Sequence, residues 1–108
     1  MLEISIRKVA QIILMSRELD RAEGELRAFI DQLAQEEQTS LVALMWIGRE
    51  SFAPDELEAA IRLAEEEATT PTADYLLGSP HLSDHLENGL DALGISVVDT
   101  ESDLVEGR

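Results

Sequence analysis

The sequence predicts an all-α fold: a compact bundle of five or six short helices around a central apolar helix at about residues 39–47. Three features carry that expectation. Apolar residues recur with helical spacing in four separate segments. The run Leu41-Val42-Ala43-Leu44-Met45-Trp46-Ile47 has no polar face, and a helix apolar all round is normally buried. Glycine and proline punctuate the chain at element-sized intervals, from Gly24 through Gly48, Pro54, Pro71, Gly78 and Pro80 to Gly94. With 108 residues, 44% of them hydrophobic and 29% charged, the chain suits one globular domain.

Ser5 is placed to cap a first helix, with its hydroxyl accepting a free backbone N–H. Ile6, Val9, Ile13 and Ser16 share one side of it, with Ala10, Ile12 and Leu19 nearby. Gly24 is poor inside helices and good after them, so this helix is expected to end near Ala22. Leu26, Phe29, Ile30 and Leu33 then give a short second helix. Gln35-Glu36-Glu37-Gln38 reads either as a break or as the start of the third. The apolar run follows; Ala, Leu and Met favour helix over a buried strand, and Gly48 is read as the stop.

Pro54 suits the first turn of the next helix, and Asp55 and Glu56 suit the positive end of its dipole. Leu57, Ile61, Ala64 and Ala68 make its inner stripe, and Thr69-Thr70-Pro71 ends it. Thr70-Pro71 and Ser79-Pro80 each place a hydroxyl before a proline, as if capping two further helices. The first would hold Tyr75, Leu76 and Leu77 and close at Gly78. The second would align Leu82, Leu86, Leu90 and Leu93 and close at Gly94. Residues 1–98 are thus expected to form one helical domain, and 99–108 an acidic, disordered tail.

The net charge is −15 and unevenly placed: residues 1–62 carry 12 acids against 7 bases, and residues 63–108 carry 11 acids against one. Nucleic acid and anionic membrane surfaces are poor partners for such a chain, since both attract Lys and Arg. A protein partner with a basic surface is compatible, and so is a purely solubilising role for the charge. Lys8 is the only lysine, which also suits salt adaptation. There is no cysteine, which removes disulfides, thiolate metal sites and a cysteine nucleophile, and suits the cytoplasm. The start, Met1 to Lys8, does not read as a signal peptide, and the longest apolar run is far below the roughly 20 residues of a membrane span.

Each candidate residue has a plainer reading beside it. His81 and His85 share a helix face with Asp84 next to them, yet two imidazoles fall short of the three protein ligands usual for catalytic zinc. They read as surface histidines at a helix start. Glu65-Glu66-Glu67 reads as a solvated face rather than an acid–base pair, because adjacent helical residues point apart. Arg49 could contact an anion or carboxylate, or simply answer the negative helix end. Trp46 reads as core. Tyr75, between two turns, is the better contact residue. No phosphate loop, GxSxG elbow, HExxH motif or triad is evident, and no metal or cofactor is expected.

Two stretches carry a family resemblance: Leu41 to Arg49, and Thr72-Ala73-Asp74-Tyr75-Leu76-Leu77-Gly78-Ser79-Pro80 followed by Leu86-Glu87-Asn88-Gly89-Leu90. They resemble a small bacterial family of unknown function, DUF3775, over about Leu2 to Gly94. The resemblance implies a bacterial origin and a helical domain, and it brings no catalytic residues. The leading functional expectation is a non-enzymatic protein-interaction module, an adaptor or regulator. Its contact residues would be Tyr75, Leu76, His81 and His85; homo-oligomerisation is compatible with it. The alternatives are an acidic mimic of nucleic acid, or a small ligand binder or enzyme using Arg49, Tyr75 and nearby acids.

Overall fold

The computed structural model describes residues 2–95. Ser5 caps helix α1 (Ile6–Arg17), its Oγ accepting the Lys8 N–H at 3.2 Å. Val9, Ala10, Ile12 and Ile13 are buried, as the helical spacing requires. The helix does not run to Ala22. It breaks at Glu18 (φ −112°, ψ 39°), and α2 (Leu19–Asp31) begins at the next residue. Gly24 therefore lies inside α2 and stops nothing. A Cβ there would meet no atom within 4 Å, so this glycine sits on the solvent side. Its cost of about 1 kcal/mol against alanine is outweighed by burial of Leu26 and Ile30 on the opposite face.

Gln35-Glu36-Glu37-Gln38 is the first turn of α3 (Gln35–Gly48), which starts four residues before the apolar stretch expected at residue 39. Ala34 has no side chain that could cap this helix. Glu37 instead reaches back to accept the Ala34 N–H at 2.9 Å, and Gln38 Nε2 donates to the Ile30 and Leu33 carbonyls that close α2, both at 3.1 Å. Every residue of α3 from Thr39 to Gly48 is buried. Ser40 is fully buried and satisfied, its Oγ accepting the Glu3 N–H at 2.9 Å and so tying the first residues to the centre.

Helix α3 ends at Gly48, as expected, but this glycine is not the left-handed residue that closes it. The left-handed residue that ends α3 is Glu50 (φ 67°), with its N–H on the Ile47 carbonyl and the Ser51 N–H on that of Trp46. Gly48 has a packing role. A Cβ on it would lie 1.6 Å from the His85 carbonyl oxygen, and one on Gly89 would lie 2.4 Å from that of Leu44. The two glycines let α3 cross α6 (Leu82–Ala92) almost backbone to backbone.

Pro54–Glu56 is a single 3₁₀ turn leading into α4 (Leu57–Glu66), which buries Leu57, Ala60 and Ala64. Ala68, expected on that stripe, lies beyond the helix end and is exposed. Helix α5 (Thr72–Leu77) buries Ala73 and Leu76. Neither proline-preceding hydroxyl caps a helix. Pro71 and His81 occupy the cap positions with no side-chain hydrogen bond, and Ser79 Oγ donates back to the Tyr75 carbonyl at 3.1 Å. The tight turn over Ser79-Pro80 puts His81 itself in the left-handed region (φ 59°). Gly94 (φ 78°) does close α6, with the Ile95 N–H on the Leu90 carbonyl.

The described part is thus a small all-α bundle, with α3 packed chiefly on α6 and α4, α1 on α2 and α6, and α2 on α5. Ion pairs tie helices together: Lys8 of α1 to Glu37 of α3 at 2.5 Å, Arg17 to Glu87, and Arg27 to Asp74. No described helix is long and apolar enough to cross a membrane. The expected tail, 99–108, lies outside the described residues.

Candidate functional site

Gln35, Thr39, Val42 and Trp46 are spaced four, three and four apart, so they form one stripe along α3. The stripe faces the end of α4 and the start of α5 across a gap. Ala64 and Ala68 are too short to fill it, and the chain leaves α4 at Glu66 to cross above it. The result is a cleft of about 210 Å³, with Glu67, Thr69, Thr70, Thr72 and Tyr75 on its far side.

The aromatic wall is fixed from behind and from the side. Phe52 stacks on Trp46, with ring centroids 5.8 Å apart and planes at 22°. Trp46 Nε1 donates to the Tyr75 hydroxyl at 2.8 Å. The Tyr75 oxygen accepts there and keeps its own proton for another acceptor. The Thr39 hydroxyl is turned into its own helix, towards the Gln35 carbonyl at 3.2 Å and that of Glu36 at 3.1 Å.

One lining residue carries a charge, Glu67. Among the described residues none of Glu65, Glu66 and Glu67 makes an ion pair, and α4 has no base in its last turn. The negative end of the helix dipole and Glu67 therefore act in the same sense at the rim. Four bases are engaged elsewhere: Lys8, Arg17 and Arg27 hold helices together, and Arg49 Nε donates to Ser51 Oγ at 3.0 Å. The Lys8 ammonium, followed by the Ala34 N–H, holds the Glu37 carboxyl below the usual carboxylate range.

The residues singled out in the sequence do not form one site. Tyr75 is half-buried and lines the cleft. Leu76 is fully buried, so the core holds it and it is not a contact residue. His81 is exposed at the start of α6. His85 is half-buried one turn on, with Nδ1 buried and without a hydrogen-bond partner. Arg49 is exposed at the end of α3. Among the described residues no three His, Asp or Glu side chains converge as a metal site would need. Sequence reasoning missed Gln35, Thr39, Val42 and the paired threonines as lining residues, and read Glu67 only as part of a solvated face. The spacing 35, 39, 42, 46 was there to be read; the gap opposite it depends on where α4 stops.

A second hollow, apolar and about 380 Å³, lies where Leu2, Ile4 and Ile6 meet Leu57, Leu93 and Ile95. The chain continues directly from Ile95 at its wall.

Chemically, the cleft offers hydroxyls, an aromatic wall and one carboxylate. These can hold and orient a group. The sequence model of one family, described as a protein of unknown function (DUF3775), matches residues 23–95. That span contains the whole lining of the cleft. No curated protein and no solved structure gives a significant match.

Proposed function

We propose that this chain, which belongs to DUF3775, a family of proteins of unknown function, is a non-enzymatic module that binds another protein through the cleft between α3, α4 and α5. The observation that carries this reading is the hydrogen-bonded Trp46–Tyr75 pair, one buried and one half-buried, at the wall of a gap that the protein's own side chains leave unfilled. Well-packed interiors have few voids larger than a water molecule, so a gap of this size beside the core suits an incoming group. A half-buried tyrosine held in place by the buried indole gives a contact with little entropy to lose. The cleft is smaller than the roughly 300–1,000 Å³ of sites for drug-sized ligands and cofactors. It suits one side chain of a partner better than a free metabolite.

Affinity capture from host lysate tests the reading with four proteins: wild type, Tyr75→Ala, Ala68→Phe, and a variant with Glu65, Glu66 and Glu67 changed to Gln. Ala68→Phe fills the cleft from an exposed position and leaves the core alone. The reading expects one partner to be captured by wild type and lost with Tyr75→Ala and Ala68→Phe. A partner lost only in the charge variant and at high salt would favour the mimic of nucleic acid instead. Retention in Ala68→Phe would remove the cleft from the account.

A further inference from the structure

The chemistry of the cleft selects what a bound protein would insert into it. We infer that the cleft receives one basic side chain, a lysine or arginine, presented by the bound protein; this rests on the cleft being the contact site. Size comes first: about 210 Å³ accommodates one long side chain. The wall is apolar where a stem would lie, at buried Val42 and Ala64 and, nearer the opening, exposed Ala68. Lysine and arginine bury such stems along apolar surface and keep the charged head at a polar rim.

The rim has the matching acceptors. Glu67 is the one charge in the lining, and Thr69 and Thr70, both able to accept through a hydroxyl, line the same wall. The end of α4 adds carbonyls with no base in the last turn to answer them. Other occupants fit less well. An acidic side chain would meet Glu67 and the negative helix end. A purely apolar one would cover the carboxylate and threonine hydroxyls without replacing their hydrogen bonds to water, which is unfavourable. The free proton of the Tyr75 hydroxyl suits a carbonyl of the partner's backbone beside the inserted residue.

Trp46 is the only tryptophan and lines the cleft, so its fluorescence reports occupancy. The full chain is titrated with the blocked single residues N-acetyl-lysine methylamide and N-acetyl-arginine methylamide, and with the norleucine counterpart, which keeps the stem and lacks the charge. The expected result is a saturable change with the two basic probes and none with norleucine. Binding should weaken about fivefold in Glu67→Gln, roughly the 1 kcal/mol of a partly exposed ion pair, and weaken further with salt. Ala68→Phe should abolish it. An equal response to norleucine, or no saturable response to either basic probe, overturns the inference. The two failures are separable. If capture depends on the open cleft while basic probes do not bind, the inference fails alone. If basic probes bind and Ala68→Phe still captures the partner, the protein-binding reading of the cleft fails.

Discussion

Helix α3 meets α6 with its backbone and meets the end of α4 and the start of α5 across a gap. On the α6 side Gly48 and Gly89 carry no Cβ, so the two backbones touch where these residues meet the other helix. On the other side Val42 and Trp46 look into a space that Ala64 and Ala68 do not fill. One helix, apolar all round, thus has a closed flank and an open one. Apolarity alone does not show which flank a protein keeps for itself. The size of the residues opposite decides it, and so does the point where the neighbouring helix ends.

The largest expected effect falls on the closed flank. Gly89→Val would drive a branched side chain into the Leu44 carbonyl and should destabilise the fold by about 3 kcal/mol or more, or prevent folding. Ala68→Phe, which adds more atoms on the open flank, should stay within about 0.5 kcal/mol of wild type. Denaturant melts of the two variants compare the flanks directly. Similar losses in both would mean that the flanks do not differ.

The aromatic pair sharpens the comparison, because it belongs to the core on one side and to the cleft on the other. Trp46→Ala should cost about 3–5 kcal/mol. Tyr75→Phe removes the acceptor of the indole N–H and should cost about 1 kcal/mol with the fold intact. Thermal melts check both. A Tyr75→Phe loss as large as that of Trp46→Ala would place the hydroxyl in the core rather than at an open wall.

A smaller effect concerns the start of α3, ahead of both flanks. Glu37 is held below its ordinary value by Lys8 first and the Ala34 N–H second. A carboxyl whose folded value is depressed adds stability above its unfolded value, and that stability is lost as pH falls through the folded one. Melts from pH 7 downward should therefore show wild type losing its advantage over Glu37→Gln below about pH 4.3, the ordinary glutamate value. With the ammonium 44% exposed, the advantage at pH 7 should not exceed about 1 kcal/mol. A constant gap across the range would mean that the carboxylate's charge is not involved.

The smallest effects are stabilising. Gly24 is helical with open space where a Cβ would go, and Glu50 is left-handed without being glycine. Gly24→Ala and Glu50→Gly should each add about 0.5–1 kcal/mol. Either change lowering the melting temperature would contradict the backbone described at that position.

Much of the closed side was legible in the sequence. The stripe Leu82, Leu86 and Leu90, the capping Ser5 and the unbroken run from Leu41 to Ile47 all report local periodicity or local hydrogen bonding. The glycines were harder. Gly24, Gly48 and Gly89 look alike as letters, yet one is idle on a solvent face and two are pressed against another helix. That distinction needs the partner helix. The hydroxyls of Thr70 and Ser79 misled for a similar reason: the turns that precede α5 and α6 leave Pro71 and His81 at the caps. The cleft was the least legible feature, because what makes it is small side chains and an early helix end. Tyr75 could be chosen from its turns, but Leu76, next to it, belongs to the core.

The indole N–H resonance of Trp46 tests the open flank most directly, since one tryptophan gives one signal. A proton–nitrogen correlation spectrum is recorded with and without the captured partner. The account predicts that this signal shifts, together with amides along Gln35 to Trp46 and Ala64 to Tyr75, while the His85 to Leu90 amides stay in place. A still indole signal, with shifts gathered instead around Arg49, His81 and His85, would contradict it.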